Sequence, residues 1–253
     1  MKTTLFILLI IISSELHPQV RLDSAYTHKS ADQLKEILDR WAKQSKSINK
    51  DELKQKYNFE KYTYEIFEDF YTPKSLSRIG HSEFGDSIYI DIKYAFVQNE
   101  VLIEIYDKLI YDNFDTIGDP KPISKFKLVD FCPRVKVPNA KVIYLDEFVS
   151  SEIKDFLKGK FVPLGEGNIM SPASAEGESL DRLEFLNKFT KIFPGHWGGY
   201  WQIETYPKVS IRFNKSLTKA VVDFRLVYQG GAALYERIGN KWKFKKSSIL
   251  WIE

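Results

Sequence analysis

The sequence predicts an α+β fold: N-terminal helices plus a small antiparallel sheet, then two helices packed on a C-terminal antiparallel meander sheet. Three observations predict it. Apolar residues recur at helical spacing between residues 30 and 70. Apolar and polar residues alternate with period two over 88–106 and again over 200–252. The strands of the second half follow one another after two helices, rather than alternating with them, which points to antiparallel pairing.

The elements follow in order. Ser30 is placed to cap a helix that the spacing of Leu34, Ile37, Leu38 and Trp41 carries over 30–58. Lys61 to Phe70 puts Tyr64, Phe67 and Phe70 on one stripe, and Thr72-Pro73 stops it. Ile88 to Phe96 and Val101 to Ile105 alternate around Gln98-Asn99-Glu100, the pattern of a hairpin. Short strands follow over 126–137. Pro138-Asn139 separates a region 25–138 from a region 139–253. Lys141 to Leu145 reads as a strand, and Asp146 is placed to cap a helix to Lys158 with Phe148, Val149, Ile153, Phe156 and Leu157 inward. Ser179 is placed to cap the next helix, which Pro194-Gly195 ends. The remaining strands are 200–206, 209–213, 218–228, 232–238, 241–245 and 248–252, with turns at Gln229-Gly230-Gly231 and Gly239-Asn240.

Composition narrows the functional classes. The chain has 253 residues, 43% hydrophobic and 28% charged, which is too apolar for a disordered chain. A net charge of +3 argues against a nucleic-acid binder. One cysteine and four histidines supply neither a disulfide framework nor a cysteine-built metal site, so no metal and no cofactor is expected. At the N-terminus, Lys2 precedes an unbroken apolar run from Leu5 to Ile12, then Ser13 and Ser14. That is the layout of a signal peptide over residues 1–14, so the chain is expected in the periplasm, at the cell surface or in the medium. The run is too short to span a bilayer, and the mature chain is expected to have no transmembrane segment.

The chemistry-bearing residues concentrate in Gly195-His196-Trp197-Gly198-Gly199-Tyr200-Trp201-Gln202-Ile203-Glu204. Glycines allow close approach, and the aromatic rings offer flat faces with polar tips. Trp197, Tyr200, Trp201 and Gln202, with Arg225 on a later strand, form the candidate ligand-binding set. His196, Glu204 and Asp223 are the candidate acid/base set if their strand face lines a pocket; Asp223 and Arg225 are also spaced to pair with Arg212 or Glu236. Lys241, Lys243, Lys245 and Lys246 flank Trp242 and Phe244, as in an edge strand protected by charge. Glu178 and Arg182, four apart, are spaced for a surface ion pair.

The run Ala220 to Arg225, the glycines Gly230-Gly231, then Leu234-Tyr235-Glu236-Arg237 and Gly239-Asn240-Lys241-Trp242-Lys243 resembles the closing strands of nuclear transport factor 2-like domains. Over residues 200–253 that resemblance implies a cone-shaped α+β fold with a pocket between a curved sheet and helices. The whole chain is also similar in style to uncharacterised exported bacterial proteins. The residues together lead to the expectation of a non-catalytic exported protein that binds a small ligand, a glycan or an envelope protein through the aromatic and glycine corner. The alternative is a hydrolase or isomerase using His196 with Glu204 or Asp223.

Overall fold

A computed structural model describes residues 21–70, 92–107, 121–137, 139–158, 178–194, 201–205, 207–226 and 228–252. The expected signal peptide over 1–14 lies outside these residues, as do His196, Trp197 and Tyr200.

The α+β class holds, with helices leading and an antiparallel-rich sheet closing the chain. The helices are α1 (Leu22–Thr27), α2 (Ala31–Gln44), α3 (Lys50–Gln55), α4 (Asn58–Phe70), α5 (Glu147–Lys158) and α6 (Glu178–Leu186). The strands are β1 (Tyr94–Gln98), β2 (Val101–Tyr106), β3 (Ser124–Leu128), β4 (Lys141–Leu145), β5 (Phe193–Pro194), β6 (Trp201–Gln202), β7 (Lys208–Asn214), β8 (Lys219–Leu226), β9 (Gln229–Ile238) and β10 (Lys241–Ile252). Six of them form a mixed sheet in the order β10-β9-β8-β7-β2-β3, in which only β2 and β7 run parallel. A separate parallel pair joins β1 to β4, and β5 pairs with β6.

Four expectations are corrected. The helix over 30–58 is broken at 45–49. Ser45 Oγ accepts from the Tyr144 amide at 3.0 Å, and Asn49 forms a capping box with Glu52 that starts α3. Serine and asparagine offer the backbone an alternative to the helix, and here they win. The hairpin of β1 with β2 does not form. All five residues of β1 are buried, and Gln98 turns the chain out of one sheet into the next. Its side chain accepts from the Val209 amide at 2.7 Å and donates to the Val209 carbonyl at 3.0 Å. Gly230 and Gly231 lie within β9, not in a turn. A Cβ on Gly231 would stand 2.1 Å from the Ser248 carbonyl oxygen, so only glycine lets the two strands approach there. Ser179 sits inside α6 and is buried, so it caps nothing.

Other local readings match the structure. Ser30 accepts from the Gln33 amide, Asp146 accepts from the Val149 amide at 2.7 Å, and Gly239 at φ +61° makes the two-residue turn into β10. β10 is the lysine-bearing edge of the large sheet.

Two cores result, and each draws residues from both sides of position 138. In the first, α4 covers one face of the six-stranded sheet. Tyr62 and Phe213 both meet Trp242 edge-on, Phe70 lies 5.6 Å from Phe224, and Tyr64 and Phe67 close on Phe131. The second wraps α1, α2, α5 and α6 around the β1–β4 pair. α5 and α6 therefore lie on the small parallel pair, and α4 is the helix on the closing sheet. Among the described residues, no helix is long and apolar enough to cross a membrane.

Candidate functional site

The strands of the large sheet share one end: β2 and β7 begin there, and β3 and β8 finish there. The β1–β4 pair also finishes near this point, at Gln98 and Leu145, and α5 begins just after it. The junction leaves a cleft of about 1320 Å³. Its position beyond the carboxyl ends of a parallel pair is where crevices form in parallel sheets.

Four sequence-predicted residues line it: Trp201, Gln202, Glu204 and Arg225. β6 places the first two. It pairs Pro194 with Trp201 and Phe193 with Gln202, and Thr205 then ties the chain to β1. The Thr205 amide donates to the Phe96 carbonyl at 2.9 Å, and its hydroxyl accepts from the Phe96 amide at 2.8 Å. Trp201 rests against the helical core with part of its ring surface open. Gln202 is 5% exposed, and among the described residues neither its Oε1 nor its Nε2 has a hydrogen-bond partner. A buried amide left this way costs about 1–3 kcal/mol per group.

Among the lining residues Glu204 pairs with Lys208 at 3.3 Å and Lys127 with Glu100 at 2.6 Å. Arg225 holds its guanidinium 5.3 Å from the Trp251 ring centre, and that ring lies against Gly230. Among the described lining residues, four bases and five acids nearly cancel.

Asp223 does not join them. Arg212 donates to both its oxygens, at 2.6 and 2.5 Å, on the sheet face away from α4. Burial raises the Asp223 carboxyl and the guanidinium opposes that rise. The same charged cluster holds Glu104, which accepts from the Tyr106 hydroxyl at 2.7 Å and pairs with Lys125. Of the two described acid/base candidates, Glu204 lines the cleft and Asp223 is committed to Arg212. Among the described residues no three His, Cys, Asp or Glu side chains gather as a metal cluster.

Sequence reasoning missed Gln98, Asp130, Phe148 and Lys154 in the lining. Phe148 carried a readable signal. Val149, Ile153, Phe156 and Leu157 recur at helical spacing, and Phe148 stands one position off that stripe. It is 48% exposed over the cleft rather than inward. Gln98 and Lys154 carried none, since their place depends on which sheet ends meet. The chain matches no family model, no curated protein and no solved structure.

Proposed function

We propose that this is an exported, non-catalytic binding protein whose cleft takes a ligand against Trp201, Gln202 and Arg225. The observation that carries the reading is Gln202. Gln202 belongs to the lining of a cleft large enough for a ligand, and among the described residues its buried amide has no hydrogen-bond partner. Trp201 and the half-exposed Phe148 add aromatic surface to the same lining. The leader-like run over residues 1–14 supports export. The resemblance of 200–253 to nuclear transport factor 2-like domains enters this reading as a sheet-and-helix fold with a pocket. Here aromatic side chains fill the space between α4 and the sheet, so the pocket in this reading is the cleft at the sheet's end.

A fragment screen by NMR, read at the Trp201 indole and the Gln202 side-chain amide, tests it. Shifts from bound fragments clustered on the cleft residues, and lost in Trp201→Ala, are expected. Fragments that perturb only other surfaces, or none that perturb the cleft, would end the reading. Export is tested separately: N-terminal sequencing of the secreted chain should begin near residue 15, and an intact Met1 on exported protein would count against the leader.

A further inference from the structure

We propose that the β3 edge of the large sheet docks an extended acidic peptide, as an added strand that sets one large apolar side chain into the hollow beside α4. This site is separate from the ligand cleft, and Lys127 is the lining residue they share. The two edges of the sheet differ. β10 is lysine-bearing and is bulged between Phe244 and Lys246 and again between Ile249 and Trp251. Both devices turn an edge away from further pairing. β3 instead runs in unbroken register along β2, from Val101 with Leu128 to Ile105 with Ser124. Among the described residues no strand pairs with its outer side. Lys125, Phe126 and Lys127 at its centre are exposed. A free, regular edge offers backbone donors and acceptors to a further strand.

Strand parity sets what the added strand must carry. Phe126 lies opposite Ile103, on the sheet face that α4 covers. There Phe59 stacks on the Phe126 ring at 4.8 Å, and Tyr57 stacks on Phe59 at 5.9 Å. These rings, with Glu60, Lys127 and Leu128, line a hollow of about 440 Å³, and Tyr57 is 74% exposed. The hollow has room for a large apolar side chain, the kind of pocket that gives strand addition its specificity. Lys125, opposite Glu104, and Lys127 occupy the other face. They pair with Glu104 at 2.9 Å and with Glu100 at 2.6 Å, yet each stays more than half exposed with donors to spare. On the added strand, the residue beside Phe126 faces the hollow and its two neighbours face the lysines. The matching pattern is acid, apolar, acid. A second copy does not supply it. β3 against β3, antiparallel and centred on Phe126, sets Lys125 across from Lys127, and like charges directly opposite are destabilising.

The test is calorimetric titration of the full chain with the capped peptide Thr-Val-Glu-Phe-Glu-Val-Thr and three relatives of it. The parent peptide should bind and should slow amide exchange along β3. Alanine for its phenylalanine should weaken binding at least about tenfold. Lysine for both glutamates should weaken it about fivefold or more. N-methylation of the phenylalanine and of the residue after it blocks a donor toward β3 in either phase, and should abolish binding. On the protein, Tyr57→Ser should keep the fold and weaken the parent peptide at least about threefold. Lys127→Gln should narrow the preference for glutamate over lysine. Binding that survives N-methylation would overturn strand addition. Equal binding of the glutamate and lysine peptides would overturn the acidic partner. Silence from every peptide would overturn the proposal. Dimerisation lost in Tyr57→Ser would then give the face to a second copy, and binding to phosphatidylglycerol vesicles lost in that variant would give it to a lipid surface. Fragment binding at Trp201 is read separately, so the cleft reading stands or falls on its own.

Discussion

The two cores of this protein are held in different ways. The sheet core is fixed mainly by shape: rings from α4 interlock with rings from β7, β8 and β10, and on α4 Asp69 accepts from Tyr235 at 3.0 Å and Glu68 accepts from the Arg134 guanidinium. The helical core is mostly aliphatic and is fixed at its rim by charge. Arg182 pairs within α6 with Glu178 at 2.9 Å, links α6 to Asp23 of α1 at 2.5 Å and to the Phe156 carbonyl of α5 at 3.1 Å, and stacks on Tyr26 and Phe156. Asp39 of α2 accepts from Tyr94 of β1 at 2.8 Å and from Lys141 of β4 at 2.5 Å. Rings that interlock resist pH and fail on a change of volume. Helices tied at the rim fail when one charge is lost.

The largest effect is expected where the sheet has no room. Gly231→Val places a Cβ 2.1 Å from the Ser248 carbonyl oxygen and 2.7 Å from the Phe224 ring. Backbone cannot yield as a side chain can, so β9 and β10 must part, at a loss of about 3 kcal/mol or more in urea unfolding. Gly230→Ala meets the Trp251 side chain first, which can yield where backbone cannot, and should cost less.

Truncation in the two cores comes next. Phe67→Ala and Leu38→Ala remove fully buried side chains and should each cost about 3–5 and 2–5 kcal/mol. Gln98 and β1 join the cores, so both variants should shift one common unfolding transition. Two separate transitions would break the comparison into independent units.

Why some of this was legible and some was not follows from range. The caps at Ser30 and Asp146, the Gly239 turn and the alternation of β7 and β8 are set by neighbours in sequence, and they were readable. So was the pairing of Asp223 with Arg212, because both faces follow from strand parity. Which strand β1 would join depends on Val209 and Lys141, distant in sequence, and period-two alternation fits either choice. The pair of glycines in β9 looks identical as a turn and as a close approach. Arg182 looked like a surface ion pair because its partner Glu178 is local; Asp23 and the Phe156 carbonyl, which bury it to 13% exposure, are not. The site was half legible: the residue types around Trp201 were apparent, but the cleft walls come from sheet ends that only the fold brings together.

Rim charge gives the third effect. Arg182→Ala leaves Glu178 and a carbonyl without their donor and should cost about 1–3 kcal/mol. Arg182→Lys should recover only part, because a point charge cannot bond three groups and stack.

Acid should act more gently, on the helical rim, while alkali reaches buried tyrosines of both cores, since burial and the Asp39 carboxylate also raise the Tyr94 phenol. The Lys141 ammonium and the Tyr94 hydroxyl hold the Asp39 carboxyl well below the usual carboxylate range. A lowered value in the folded chain stabilises above the unfolded value, near 4, and that contribution fades as pH falls further. Asp39→Asn should flatten the acid limb of a stability profile and loosen α2 first, read by amide exchange. Burial pushes the Tyr64 phenol up to about 12 in the sheet core. Its contribution is full below about 10 and is lost as pH rises from there. Tyr64→Phe should move the alkaline limb and leave the acid limb unchanged.

The smallest effect carries the sharpest distinction, because its sign is opposite. Gln98 and Gln202 are two buried glutamines on one cleft. Gln98 spends its amide on Glu100 and on both backbone groups of Val209, so Gln98→Leu should destabilise. Among the described residues Gln202 spends its amide on nothing, so Gln202→Leu removes a standing cost and should raise stability by about 1 kcal/mol, or about 2–4 °C in Tm. A gain in stability joined to a loss of fragment binding at the cleft is the mark of a group kept for a ligand, since sites of this kind are maintained against the interest of folding. A loss of stability in Gln202→Leu would show that the amide has a structural partner after all, and both glutamines would then belong to the scaffold.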